Sequence, residues 1–259
     1  MLIDSHCHLK HEKYSKTQAV LVDEAKAEGV TKLIDIGTSI KDNLVCMKNA
    51  EEFDGVYATV AIYPHENMSM QVPDLMAELR KQATASKKIV AIGECGIDIS
   101  NWQGGRPKEE QIILFEEQIK LAVELNLPLI IHNRGGDEII LKLLQKYQGQ
   151  GLRGVSHCFV STWEFAQELL KLNFLLSFAC SITYPSNRNL LETIKQVPDD
   201  KFLVETDAPY LPPQSMRGTV NEPKNVVYAA RKIAEVKGIS FEKACELSYS
   251  NTCKLFGIN

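Results

Sequence analysis

The sequence predicts an α/β fold, a closed (β/α)8 TIM barrel of the metal-dependent hydrolase type, as one domain over residues 1–259. Three observations predict it. Short apolar or β-branched runs alternate with longer segments of helical periodicity, eight times along the chain. Several runs are apolar throughout, as in parallel strands covered on both faces. The length matches the roughly 250 residues of a single such barrel. A doubly wound open sheet is the second arrangement these elements allow.

The strand candidates are residues 2–4, 32–36, 56–62, 89–92, 129–131, 154–156, 174–177 and 202–204. The clearest helix is 109–126, where Ile112, Phe115, Ile119, Ala122 and Val123 follow the i, i+3, i+4 rule. Pro107 stands near its start and Pro128 closes it. Asn221 is read as the N-cap of a helix running through Val236, with Pro223 in the first turn. Ser240 caps the last helix, which stops at Gly257. Two long loops, 99–106 and 208–220, follow strands and so lie over the face where barrel active sites form. No linker, repeat or low-complexity stretch divides the chain.

The chain is 44% hydrophobic and 24% charged, the balance of a soluble globular protein, with a formal net charge of -4. This excludes a basic DNA-coating protein, so any contact with nucleic acid is small, local and salt-sensitive. No apolar run approaches the roughly 18–20 residues of a membrane span. Asp4 and His6 interrupt any apolar signal core. Seven cysteines form no Cys-x-x-Cys pair, which points to reduced thiols. The expectation is a cytoplasmic protein without membrane contact, a monomer or weak homo-oligomer.

The chemistry rests on ligand-type residues at strand ends. His6 and His8 are two apart on the first strand, so both imidazoles face one side. Glu94, His132, His157 and Asp207 follow the fourth, fifth, sixth and eighth strands. Imidazole and carboxylate are the ligands of zinc, manganese and similar ions. Each residue alone has an ordinary structural role open to it. Five strands carrying such residues at the same end point instead to a shared centre. Four histidines and two carboxylates suffice for two metals bridged by one carboxylate.

Among the other candidates, His65 follows the third strand and either faces the same rim as a proton donor or phosphate contact or is a surface turn histidine. His11 lies past the His-x-His pair and is read as solvated surface. Cys7, Cys95 and Cys158 neighbour proposed ligands, so strand alternation turns their thiols toward the helices. Trp102, Phe159 and Tyr210 follow strands and are candidates either for loop packing or for stacking on bases.

At these residues the sequence resembles the TatD family of metal-dependent deoxyribonucleases, within the amidohydrolase-like barrels. The resemblance runs from Ile3 to the last helix. It is carried by Asp4-Ser5-His6-Cys7-His8, Pro64-His65, Gly93-Glu94 with Gly96 and Asp98, and Gln111 through Phe115 to Pro128 and His132. It continues in His157-Cys158-Phe159, Glu205-Thr206-Asp207-Ala208-Pro209-Tyr210-Leu211 and Arg217 with Asn221-Glu222-Pro223. It implies two divalent metal ions per subunit (magnesium, manganese or zinc). His6, His8, Glu94 and Asp207 would hold one, Glu94, His132 and His157 the other, with Glu94 bridging. It further implies hydrolysis of phosphodiester bonds in DNA by metal-activated water, at 3′ ends or single strands.

Within that picture Asp207 orients the water and takes its proton. His65 binds phosphate or protonates the leaving oxygen, and Arg134 and Arg217 are candidates for a further phosphate contact or for structural salt bridges. Glu205 orients a ligand histidine. Three departures alter the rim: Tyr63 stands where the family usually has His, Asn133 where it has Ser, and Ile99-Ser100-Asn101-Trp102 follows Asp98 where the family commonly has an aromatic at once. The alternative function is a metallohydrolase of the same scaffold acting on a carboxylic ester, lactone, amide or aminoacyl-tRNA ester.

Overall fold

The computed structural model describes residues 1–100 and 104–259. Strands and helices alternate along the chain: β1 (Leu2–Cys7), α1 (Gln18–Ala27), β2 (Val30–Asp35), α2 (Ile40–Glu52), β3 (Val56–Val60), α3 (Val72–Ala83), β4 (Ile89–Asp98) and α4 (Lys108–Leu125). They continue as β5 (Leu129–Arg134), α5 (Asp137–Lys146), β6 (Gly154–Ser156), α6 (Trp163–Lys171), β7 (Phe174–Phe178), α7 (Asn189–Gln196), β8 (Phe202–Val204), α8 (Val226–Lys237) and α9 (Phe241–Phe256). The strands are parallel and each pairs with the next in chain order, β1 to β8. Just past β8 the seam closes through a parallel bridge between Cys7 and Ala208. That closure rules out the open doubly wound sheet.

The barrel interior is filled, not hollow. Ile3, Ile34, Val90, Ile130, Val155, Leu175 and Leu203, one from each of seven strands, form a buried cluster with Leu255 and Phe256 of α9. A larger apolar layer lies between the strands and the helices, with Phe115, Phe174, Phe178 and Phe202 among its fully buried side chains. The cost of opening this end is high, because each buried aliphatic side chain contributes about 1.5–3 kcal/mol. The other end carries the polar residues.

The helix signals hold with one exception. α9 is capped by Ser240, whose Oγ accepts from Lys243 N at 3.1 Å, and ends at Gly257 with φ 66°. α4 ends on Asn126 in the left-handed conformation. Asn221 is not a helix cap. A short 3-10 turn, Pro223–Asn225, intervenes before α8. The buried Asn221 amide instead donates to the carbonyls of Thr206 and Leu211, and its oxygen accepts from Glu222 N and Asn225 Nδ2. It ties the loop after β8 to the barrel. All seven cysteines are free. Among the described residues no helix is long and apolar enough to cross a membrane.

Candidate metal centre

Barrel closure builds the first half of the site. Asp207 N donates to His6 O at 2.9 Å and His8 N to Ala208 O at 2.8 Å, so the chain after β8 runs alongside β1. Asp207 adopts φ 56°, a left-handed conformation that is costly for a residue with a side chain. Its carboxylate then faces the His-x-His pair. Asp207 Oδ1 lies 3.6 Å from His6 Nε2 and 3.7 Å from His8 Nε2. Glu94 Oε2 lies 3.4 Å and 3.9 Å from the same two nitrogens.

β4 and its neighbours build the second half. His132 Nδ1 stands 2.8 Å and His157 Nε2 2.9 Å from the other Glu94 oxygen, Oε1. The carboxylate of Glu94 thus gives one oxygen to each group of imidazoles. Gly96 makes this approach possible. A Cβ there would lie 2.0 Å from His132 O, and its φ of 151° suits glycine. His132 therefore lies directly beside β4.

These donors fit a divalent cation. The groups His6, His8, Asp207 and Glu94, His132, His157 each have ligand atoms within 4.8 Å of one another. Ligands about 2.0–2.2 Å from a tetrahedral ion stand about 3.3–3.6 Å apart, close to the spacing around Glu94 Oε2 and Asp207 Oδ1. His6 is fully buried, yet neither ring nitrogen has a hydrogen-bond partner among the described residues. Four carboxylates gather here (Glu94, Asp207, Asp98 and Glu205). Their ion-pair partners among the described residues are histidines, never Lys or Arg. Such an excess of buried negative charge needs cations.

The titration pattern matches. Burial pulls His6 down, so its imidazole is neutral and open as a ligand. Burial also opposes protonation of His8, but the Asp207 hydrogen bond and the Glu94 charge outweigh it and push His8 up to about 9. His132 and His157 are raised in the same way against burial, His132 chiefly by hydrogen bonds to Asp98 and Glu94, His157 chiefly by the Glu94 charge. Against its own burial, Glu94 is held well below the carboxylate range by His157, His132 and His6. Asp207 is lowered against burial mainly by His8.

The outer contacts fix these ligands. Glu205 Oε1 accepts from Cys158 N at 2.7 Å and lies 3.2 Å from His157 Nδ1. Asp98 is a participant that the reading of strand ends did not single out. Its Oδ2 accepts from Tyr63 Oη at 2.9 Å and lies 3.2 Å from His132 Nε2. Its Oδ1 accepts from Ser100 N and Oγ. Asp98 follows Glu94 by four residues, so the two-residue alternation of a strand was the available signal.

Other expectations need correction. His65 does not line the cavity over the centre, which Tyr63, Glu66, Arg134 and Tyr210 share with the ligands. A tight turn, Glu66 N to Tyr63 O, and the Arg106 N–H on His65 Nδ1 hold His65 in the neighbouring cavity beside Asp98. Buried Arg106 pins that turn through Pro64 O and Glu66 O. Arg217 is away from the centre, stacked on Tyr184 with 4.5 Å from Cζ to the ring centroid.

His11 is half-buried, its Nε2 2.9 Å from Tyr210 Oη, so it braces the cavity wall. Cys7 and Cys95 are buried, with sulfurs toward Ile34 O and Ile130 O. Cys158, at φ 42°, instead borders a groove next to the centre. Phe159 is buried against Phe165 and Phe178, so packing accounts for it. Tyr210 is 40% exposed and lines the cavity. Trp102 lies outside the described residues. Asn133 bonds Asp137 and Gly136 N, shaping the turn into α5.

Comparison with known proteins agrees with this geometry. The chain is 38% identical over 259 residues to a Bacillus subtilis protein named the uncharacterized metal-dependent hydrolase YabD, with 100% of each chain covered. It is 32% identical over 262 residues to the Escherichia coli K12 protein named the uncharacterized metal-dependent hydrolase YcfH, covering 100% of this chain and 96% of that one. The crystal structure of YjjV, a TatD homologue from Escherichia coli K12, superposes with a TM-score of 0.91 at 26% identity, over 100% of this chain and 98% of that one. The family model described as TatD related DNase matches residues 3–257, and the chain belongs to that family.

Proposed function

We propose that the chain hydrolyses phosphodiester bonds in DNA, at single strands or frayed 3′ ends, with two divalent cations bridged by Glu94. The observation that carries this reading is the division of the Glu94 carboxylate between two groups of donors. When bound, two such cations supply an acidified water and neutralise charge building up at phosphorus. His6, His8 and Asp207 would hold one with Glu94, and His132 and His157 the other. Asp207 borders the cavity and is the group placed to take the proton of the attacking water. Arg134 is exposed at the cavity wall and meets no acidic partner among the described residues, which suits an anionic diester over a neutral ester. His65, held by Arg106, is not assigned a proton-transfer role.

The test is a substrate panel with protein stripped by chelation and reloaded with magnesium, manganese or zinc. End-labelled single-stranded DNA, duplex DNA, RNA, a lactone and an aminoacyl ester are compared. The expected result is metal-dependent shortening of single-stranded DNA from its 3′ end, lost at least about a hundredfold in Asp207→Asn. Turnover of the lactone or aminoacyl ester without any cleavage of DNA would replace this reading with a carboxylic-ester hydrolase.

A further inference from the structure

Three side chains meet on the side of the His132 ring that faces away from Glu94. Asp98 Oδ2 accepts from Tyr63 Oη at 2.9 Å and lies 3.2 Å from His132 Nε2, and the two donor atoms stand 3.2 Å from each other. The opposite ring nitrogen, Nδ1, is turned to Glu94 Oε1 at 2.8 Å. It is therefore the nitrogen that His132 offers as a ligand, and Nε2 keeps the proton. One carboxylate oxygen thus serves two donors, and Asp98 is only 1% exposed, so bulk solvent adds no third. Both contacts are long for a charged acceptor. A charge-assisted N–H···O bond closes to about 2.7–2.9 Å and an O–H···O bond to about 2.5–2.7 Å. Each contact exceeds its range, as expected when an oxygen divides its charge between two donors.

Neither Asp98 nor the Tyr63 ring depends on the phenol hydroxyl for its place. Gln111 brackets the Asp98 backbone, its Oε1 accepting from Asp98 N at 2.9 Å and its Nε2 donating to Asp98 O at 2.9 Å. Ser100 N and Oγ hold the other carboxylate oxygen, Oδ1. Tyr63 N donates to Thr38 O at 2.8 Å, and buried Gln118 clamps both the N–H and the carbonyl of Ile62. The Tyr63 ring meets the His132 ring edge-on, with 4.8 Å between centroids. Loss of the hydroxyl therefore removes the competing donor and leaves the acceptor and both rings where they are. Asp98 then gives its charge to Nε2–H alone, which makes the imidazole a stronger ligand at Nδ1.

We propose that Tyr63 is a positioning residue that acts against Asp98: by sharing Asp98 Oδ2 with His132 it holds down the ligand strength of His132, so the centre takes its cations less tightly than its own donors allow. The proposal rests on Glu94, His132 and His157 holding a cation, and not on which ester is cut.

The experiment measures zinc affinity of the stripped protein by competition with a chromogenic chelator. Tyr63→Phe, which keeps the ring and its packing, is expected to bind zinc at least about threefold tighter than the wild type. The same change made together with Asp98→Asn is expected to bring no tightening over Asp98→Asn alone, because no carboxylate is left to share. A residue that merely packed against the centre would not lose its effect in this way. A second readout is independent of affinity. In the zinc-loaded protein the His132 Nε2–H proton resonance is expected to move downfield in Tyr63→Phe, as its hydrogen bond to Asp98 strengthens. Tightening of less than about threefold, weaker binding, tightening that survives Asp98→Asn, or a resonance that stays put or moves upfield overturns the proposal and leaves the hydrolase reading standing. Wild-type protein that takes up no zinc, manganese or magnesium removes the cation-holding reading of the centre, and this proposal with it.

Discussion

Loading the stripped centre with divalent cations is expected to expel protons at pH 7, one from His8 and one from His157 at the least. An imidazole must give up its proton to bind a metal. His8 is pushed up to about 9 and His157 is raised well above the ordinary histidine value, so both carry protons at pH 7, and His132 is raised in the same direction. His6 is lowered by burial and has none to give. Glu94 and Asp207 are held below the usual carboxylate range and are already ionised. By linkage, affinity for the metal then rises with pH through the His8 value of about 9.

The stripped protein carries the opposite signature. Protonated His8 contributes its full stabilisation below the unfolded value of 6.5 and loses it as pH climbs to about 9. That interval of about 2.5 units corresponds to about 3 kcal/mol. Proton release is measured with a pH indicator in weak buffer, or by calorimetry in buffers of different ionisation enthalpy. Thermal melts of the stripped protein from pH 6.5 to 9 check the stability arm. Release of fewer than one proton, or a melting temperature that rises across that interval, would refute the charge assignment.

Three further outcomes follow from single contacts. Asp98→Asn places an amide donor against His132 Nε2 and turns the ring toward the tautomer with a proton on Nδ1. Affinity for metal is expected to fall about 10–100-fold, visible as easier metal removal in a chelator competition. Gly96→Ala drives a methyl group into His132 O, and destabilisation of about 3–5 kcal/mol by urea titration is expected, together with reduced metal content. Ser240→Ala removes the cap of α9 and is expected to cost about 1 kcal/mol, seen as a drop of about 2–4 °C in Tm with metal content unchanged.

Period and polarity made much of this molecule readable without coordinates. Alternating apolar runs and helices dictate a parallel barrel, and a parallel barrel gathers strand ends at one rim, so His6, His8, His132, His157 and Asp207 could be placed together from their positions alone. What escaped depends on where strands and turns stop. The apolar run of β4 ends at Ile92, but the strand continues to Asp98, paired with β5 as far as Arg134. Its second half, Gly93–Asp98, carries polar and small residues that read as loop, because burial there is supported by histidines and backbone rather than by oil. Glu94 therefore sits within the strand, and Asp98 at its end reaches the far side of the His132 ring. The misplacement of His65 has the same origin. Pro64 and the turn closed by Glu66 N reverse the chain just after β3, and a buried arginine 41 residues further along, Arg106, decides which way His65 faces. Strand periodicity reports which side a residue is on while the strand lasts. It carries no information about a turn whose shape is set by a side chain from another loop, and at a barrel rim such turns decide which residues meet the substrate.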